Sequence, residues 1–393
     1  QHIVNIVDWL LQYAFEQRAS DIHLEPRRGK GKVRFRIDGI LHLVYELPDN
    51  VMTAMISRLK ILGRMDVAEK RRPQDGRIKT KAPNASEVEL RLSTMPTAFG
   101  EKLVMRIFDP DVLLRSFTQL GLVAEDYQQW QSMIKRAHGI VLVTGPTGSG
   151  KTTTLYSTLR QLASDSVNVS TIEDPIEMVV DAFNQSQIQS AIEFDFAAGI
   201  RTLMRQDPDI IMVGEIRDQA TAEMAVQAAL TGHLVLSTLH TNDAPTAISR
   251  LLDLGMPAHL IKATLNGVMA QRLVRTLCPD CRSEVQCDPE AWRELAGNSS
   301  PAPEKVFQPV GCLECRNTGY LGREGIYEIM PVSDDLLGYI SAESDIQQVR
   351  DAAVSQGMKT LRMAGAQKVA AGITSIAEVL RVTPELGVRR PST

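Results

Sequence analysis

The stretch Gly145-Pro-Thr-Gly-Ser-Gly150-Lys151-Thr152 satisfies G-x-x-x-x-G-K-[ST] at every fixed position. An apolar run over residues 140–144 precedes it and reads as a buried strand; residues 153–157 follow it and read as the opening of a helix. Strand, glycine-rich loop and helix together form the context in which this pattern binds phosphate rather than merely turning the chain. The glycines let the backbone wrap closely, so that successive N–H groups point at phosphate oxygens, and the helix N-terminus adds positive dipole. Gly145, Pro146, Thr147, Gly148, Ser149, Gly150, Lys151, Thr152 and Thr153 are therefore the expected nucleotide-binding residues. Lys151 should reach the outer phosphates and the Thr152 hydroxyl should hold Mg²⁺. The competing reading, a glycine-rich turn without a ligand, is disfavoured by the completeness of the motif.

Around this loop, apolar strand candidates alternate with helical patterns at 140–144, 169–172, 210–213 and 234–238. Such alternation predicts a mostly parallel sheet with helices on both faces. In that architecture the loops after the strands collect at one edge. Three more segments belong there. Residues 207–215 run four apolar positions into Gly214 and Glu215, like a Walker B strand with Gly where a Mg²⁺-ligating Asp commonly sits. Glu215 is the residue expected to orient or activate the attacking water. Residues 171–177 hold Glu173, Asp174 and Glu177, carboxylates placed to bind the metal through water. Residues 231–243 put His233 and His240 at opposite ends of a strand; only His240 falls on the phosphate edge, and Arg217 is a further sensor candidate. A structural role is the ordinary alternative for each histidine and carboxylate taken alone.

At 393 residues the chain is long for one core. Residues 1–110 mix helical spacing (5–18, 51–64) with alternating strands (32–38, 87–93, 102–108) and hold 19 Lys+Arg against 14 Asp+Glu, a balance of +5. The remainder is at −9, so the total is −4. That total, without a basic stretch interleaved with aromatics, argues against direct nucleic-acid binding. No apolar run approaches the ~18 residues of a membrane span, and no signal peptide is visible. The chain begins at Gln1 inside an expected helix, which reads as a piece of a longer protein. The expected divisions are 1–110, an α+β domain; 111–120, a linker; 121–275, the ATPase core; 276–322, a cysteine-bearing irregular lobe; and 323–393, C-terminal helices.

Cys278-x₂-Cys281 and Cys312-x₂-Cys315 are two C-x₂-C pairs. Four thiolates suit a closed, structural Zn²⁺ site; disulfides and redox pairs are the alternatives. The lobe has few apolar residues, so the metal is expected to substitute for a core. Cys287 has no such partner in sequence.

Together these segments resemble the secretion ATPase superfamily, in particular the motors of type II secretion and type IV pilus assembly. The resemblance rests on the P-loop at 145–152, the Asp box at 171–177, the atypical Walker B at 207–218, the His box at 231–243, and the stretches 19–26 and 69–77 of the N-terminal region. It implies a RecA-like P-loop ATPase domain with an N-terminal α+β domain, a zinc-binding insert and C-terminal helices. It further implies a homo-hexamer that uses ATP, Mg²⁺ and Zn²⁺. The hexamer would be cytoplasmic, peripheral at the inner membrane through partners alone, and would drive a membrane platform protein. In the family, N-terminal arginines close over the nucleotide, and Arg77 and Arg91 match those positions. Pilus retraction motors lack the cysteine module, whereas secretion and assembly motors commonly carry it. A nucleic-acid translocase on a similar core, and a nucleotide-gated scaffold with little turnover, are the competing function classes. Retention of Lys151, Thr152, Glu215, Arg77 and Arg91 counts against the scaffold.

Overall fold

A computed structural model describes residues 2–81, 87–108, 115–297 and 300–384. It divides into two compact units, Gln1–Val112 and Leu113–Thr393. The first part of the expected linker, residues 111–114, lies outside the described residues.

The first unit runs α1 (His2–Glu16), β1 (Ala19–Arg27), β2 (Lys30–Ile37), β3 (Ile40–Pro48), α2 (Asp49–Leu62), β4 (Gln74–Lys81), β5 (Glu87–Thr97) and β6 (Gly100–Phe108). The strands form an antiparallel sheet in the order β3-β2-β1-β6-β5-β4. In β2, Val33, Phe35 and Ile37 are buried and alternate with Lys32, Arg34 and Arg36, the period-2 pattern of a strand with one face in the core. Leu10 and Ala14 of α1 and Met52, Met55 and Leu59 of α2 pack with Ile22, Leu24, Leu90 and Met105 of the sheet. The opposite face is charged.

The second unit runs α3 (Ala124–Ile134), β7 (Gly139–Thr144), α4 (Lys151–Leu162), β8 (Val169–Glu173), β9 (Asn184–Gln187), α5 (Phe196–Leu203), β10 (Ile210–Val213), α6 (Gln219–Leu230), β11 (Leu234–Leu239), α7 (Thr246–Asp253), α8 (Ala258–Thr264) and β12 (Leu265–Leu277). It continues β13 (Ser283–Gln286), α9 (Pro289–Ala296), β14 (Lys305–Gln308), β15 (Tyr320–Pro331), α10 (Asp334–Leu337), α11 (Ile346–Ser355), α12 (Leu361–Ala370) and α13 (Ile376–Val382). Its sheet has the order β15-β12-β7-β11-β10-β8-β9, parallel except for β15 against β12. All six residues of β7 and of β11 are buried, as expected of strands covered on both faces.

The fold departs from three expectations. Residues 320–331, which the expected divisions split between the cysteine lobe and the C-terminal helices, form β15 of the seven-stranded sheet, so the chain returns to that sheet after the lobe. The lobe is not irregular throughout: β13 and β14 form a hairpin and α9 intervenes. Nor does it lack a core. Trp292, Leu295 and Ala296 of α9 and Val306 of β14 join the main apolar cluster with Leu361, Val369 and Val379 of α12 and α13.

Candidate functional site

The strand ends of β7, β8, β10 and β11 meet at one edge of the parallel sheet. After β7, Gly145, Gly148 and Gly150 all have positive φ (151°, 80° and 88°), a conformation that side chains disfavour. A Cβ on Gly145 would lie 2.6 Å from the Gln271 carbonyl, and one on Gly150 would lie 2.7 Å from Gln271 Nε2. The loop thus rests directly on β12. Gln271 clamps it from below, with Nε2 donating to the Ser149 carbonyl (2.7 Å) and Oε1 accepting from Thr154 Oγ1 (2.7 Å).

Pro146, Thr147 and Gly148 face outward at the rim, while Ser149 Oγ is buried without a hydrogen-bond partner among the described residues. Lys151 folds back, donating to the carbonyls of Gly145 (2.8 Å) and Pro146 (3.1 Å). Thr152 and Thr153 occupy the first turn of α4, Thr152 exposed and Thr153 half-buried. An orphaned hydroxyl, a cradle that side chains would fill and a lysine held only by loop carbonyls fit an anionic phosphate group. Burial pushes the Lys151 ammonium down to about 8; Glu215 opposes the shift and Arg272 adds to it. Below that pH the free protein presents a cation to phosphate. Above it, phosphate binding must bring a proton with it. The KM for ATP is accordingly expected to rise as pH climbs past about 8, measurable in steady-state titrations; a flat KM through that range would contradict this placement.

After β10, Gly214 N–H donates to the Ile172 carbonyl (2.8 Å), so Glu215 emerges beside β8. Its carboxylate meets Arg217 on one oxygen and His240 Nε2 on the other (3.5 Å). Arg217 also approaches Asp174 (3.9 Å). Burial alone would raise the Glu215 pKa; the hydrogen bond and charge of Arg217, with His240 and Lys151, outweigh it and hold the group below the usual carboxylate range. Glu215 is thus an ionised acceptor at neutral pH, a state suited to orienting water.

The Asp-box carboxylates divide. Glu173 is buried and occupied: Tyr156 OH (2.5 Å), Thr171 Oγ1 (2.6 Å) and Gln185 Nε2 (3.1 Å) all donate to it. It braces α4 against β8 and β9 and is not available to a metal. Asp174 is exposed and Glu177 half-buried. His233 lies at the far end of β11, its Nδ1 within 2.8 Å of the Ala228 carbonyl, away from the phosphate edge.

In the first unit, the ladder register places Arg77 opposite Arg91, Arg91 opposite Arg106, Arg106 opposite Asp21, and Asp21 opposite Arg36. Four arginines and one aspartate form a single row across five strands. Glu89 lies near both Arg77 (3.7 Å) and Arg91 (3.5 Å). Like charges directly opposite one another destabilise a sheet, so the row reads as a surface suited to an anion. Sequence reading singled out Arg77 and Arg91 but missed Arg106 and Gln271. The alternating charges of Lys102 and Arg106 were a signal for the former; a buried glutamine on a strand gives none.

The four cysteine sulfurs, Cys278, Cys281, Cys312 and Cys315, lie within 4.8 Å of one another. The separations are 3.8 Å (Cys278–Cys312), 3.7 Å (Cys281–Cys315) and 3.7 Å (Cys312–Cys315). A tetrahedral ion with bonds of about 2.3 Å needs sulfur–sulfur edges of about 3.8 Å. Backbone N–H groups of Cys312 and Gly319 donate to Cys315 Sγ (both 3.1 Å), and Gly311 N–H donates to Cys281 Sγ (3.2 Å). These donors stabilise thiolates, and the donor set fits Zn²⁺. Cys287 stands apart, its Sγ 3.7 Å from the Asp288 carbonyl.

Residues 1–381 match the family model described as type II/IV secretion system protein. The chain is 63% identical over 385 residues to a protein of Acinetobacter baylyi named type IV pilus assembly ATPase TfpB; the alignment covers 98% of this chain and 66% of that one. It is 44% identical over 383 residues to the type II secretion system ATPase E of Vibrio cholerae, covering 98% and 76% respectively. Its fold is shared with the pilus retraction motor PilT solved with ADP (TM-score 0.63, 25% identity, 96% of each chain). It is also shared with the ATPase DotB of Legionella pneumophila (TM-score 0.70, 22% identity, 96% and 95%). No helix among the described residues is long and apolar enough to cross a membrane.

Proposed function

Because this chain belongs to the type II/IV secretion system protein family, we propose that it is a motor ATPase that works as a homo-hexamer. It would act at the cytoplasmic face of the inner membrane through a platform protein of a pilus or secretion machine. The observation that carries the reading is the convergence, at one sheet edge, of a complete P-loop with the Glu215–His240–Arg217 cluster. The 63% identity to a pilus assembly ATPase favours the pilus side over type II secretion. Neither a nucleic-acid translocase nor a nucleotide-gated scaffold gains support from these relatives.

In this reading the P-loop amides and Lys151 cradle the phosphates, and the Ser149 hydroxyl gains the partner it lacks. Mg²⁺, held through Thr152 with Glu177 near by through water, would neutralise charge on the terminal phosphates. Glu215 orients the attacking water, and His240 with Arg217 fixes the rotamer of Glu215 and senses the terminal phosphate. Arg77 and Arg91, with Arg106 in the same row, supply positive charge to the transferring group. The four cysteines hold one structural Zn²⁺.

Arg77→Ala and Arg91→Ala are expected to lower kcat more than they raise KM, because charge on the transferring phosphoryl group grows toward the transition state. Arginines in such roles are worth roughly 10³–10⁵ in rate in other NTPases. Steady-state kinetics on the assembled ring checks this; wild-type turnover in both variants would reduce them to surface residues. The pathway is tested by identifying the membrane protein that co-purifies with the full-length chain. A pilus platform protein supports the reading, and its absence in favour of bound DNA would overturn it.

A further inference from the structure

The loop after β11 is tied down at four successive residues. Thr241 N–H donates to Thr144 Oγ1 (2.8 Å), at the end of the strand that leads into the P-loop. The Asn242 carbonyl accepts from Arg272 Nη2 (2.6 Å). Asp243 Oδ2 pairs with Arg350 Nη2 (2.5 Å), and Ala244 N–H donates to Glu328 Oε1 (2.7 Å).

The last three ties lead to three different C-terminal helices. Arg272 Nε also donates to the Val382 carbonyl at the end of α13 (3.1 Å). Arg350 is a residue of α11. Glu328 Oε2 accepts the N–H of Leu361, the first residue of α12 (3.1 Å). Arg272 and Glu328 are 5% and 3% exposed, and neither has an ion-pair partner among the described residues. Arg272 spends its donors on three carbonyls, the third being that of Gln271 (2.9 Å), and Glu328 spends both oxygens on backbone N–H groups. Burial pushes the Glu328 carboxyl up to about 7 and draws the Arg272 guanidinium down, against the opposing charges of Glu328 and Asp243, so both groups are costly to bury. Here both bridge the same short loop, which begins one residue after His240.

We propose that Arg272, Glu328 and Arg350 are positioning residues for ATP hydrolysis: they hold the loop at Thr241–Ala244, and with it His240 against Glu215, from the C-terminal helices. Because the ties run both ways, a change of nucleotide at the sheet edge moves α11, α12 and α13. The inference rests on the reading of Glu215 and His240 as groups that act at the terminal phosphate.

Glu328→Gln keeps the shape but turns an amide N–H toward a backbone donor. Arg350→Gln removes an ion pair at a half-buried side chain, where folding is not at stake. Both variants of the assembled full chain are expected to lose about tenfold or more in kcat with KM for ATP within about threefold, and Arg350→Lys should restore part of the loss. Hydrogen exchange over 346–355 and 361–370 should differ between the ADP- and ATP-loaded wild type and cease to differ in the variants. Normal wild-type turnover with unchanged kcat in both variants, or exchange differences that persist in them, would overturn the inference alone. No turnover in the wild type would overturn the reading of the site and this inference with it.

Discussion

Replacing Lys151 with Ala and Glu215 with Gln is expected to stop ATP turnover in both cases and to separate the two in binding. Lys151 lies on the loop carbonyls where phosphates would sit, so its ammonium contacts the ground state. Its loss should weaken ATP affinity by at least tenfold, as removal of a charge-assisted contact to phosphate does. Glu215 touches Arg217 and His240 rather than the loop. Its amide should leave ATP bound but unhydrolysed, with kcat down by about a hundredfold or more. Equilibrium binding of labelled nucleotide beside phosphate release tells the roles apart, and equal loss of affinity in both variants would refute them.

The second large effect is expected at the cysteines. Cys312→Ser with Cys315→Ser should abolish binding of one Zn²⁺ per chain, a contribution of about 10–16 kcal/mol in small zinc modules. The fold limits the damage. The Trp292 indole N–H donates to the Ser300 carbonyl (3.1 Å), Arg362 holds the Glu294 carbonyl (2.8 Å), and α9 packs on α12 and α13. Loss of metal should therefore loosen the two knuckles, around 278–282 and 310–319, while α9 stays protected. Nucleotide binding should survive. Elemental analysis that finds no zinc in protein purified without chelator would sink the assignment, and exchange data showing α9 melting with the knuckles would correct its limits.

The candidate nucleotide edge is legible in the sequence because its residues are written locally. The P-loop, Glu215 and His240 each follow a short, largely apolar and fully buried strand, and parallel-sheet geometry brings such strand ends together. What escaped is non-local or polar. β12 and β15 pair across the whole cysteine lobe, and buried Asn266, Gln271 and Arg272 interrupt the apolar pattern of β12. The arginine row depends on register between β4, β5 and β6, which the spacing of Arg77, Arg91 and Arg106 does not reveal. Glu173 was grouped with Asp174 and Glu177 by proximity in sequence. Its partner Tyr156 comes from α4, and only the packing of that helix on β8 shows that Glu173 is already spoken for.

In the proposed function the Glu215 cluster and the P-loop form one hydrolytic site. This is tested most directly by phosphate release from Mg²⁺-bound ATP by the purified, assembled chain. Saturable turnover is expected in the wild type, reduced to the level of the Lys151→Ala variant by Glu215→Gln. Nucleotide binding with wild-type phosphate release no greater than that of Lys151→Ala would contradict it.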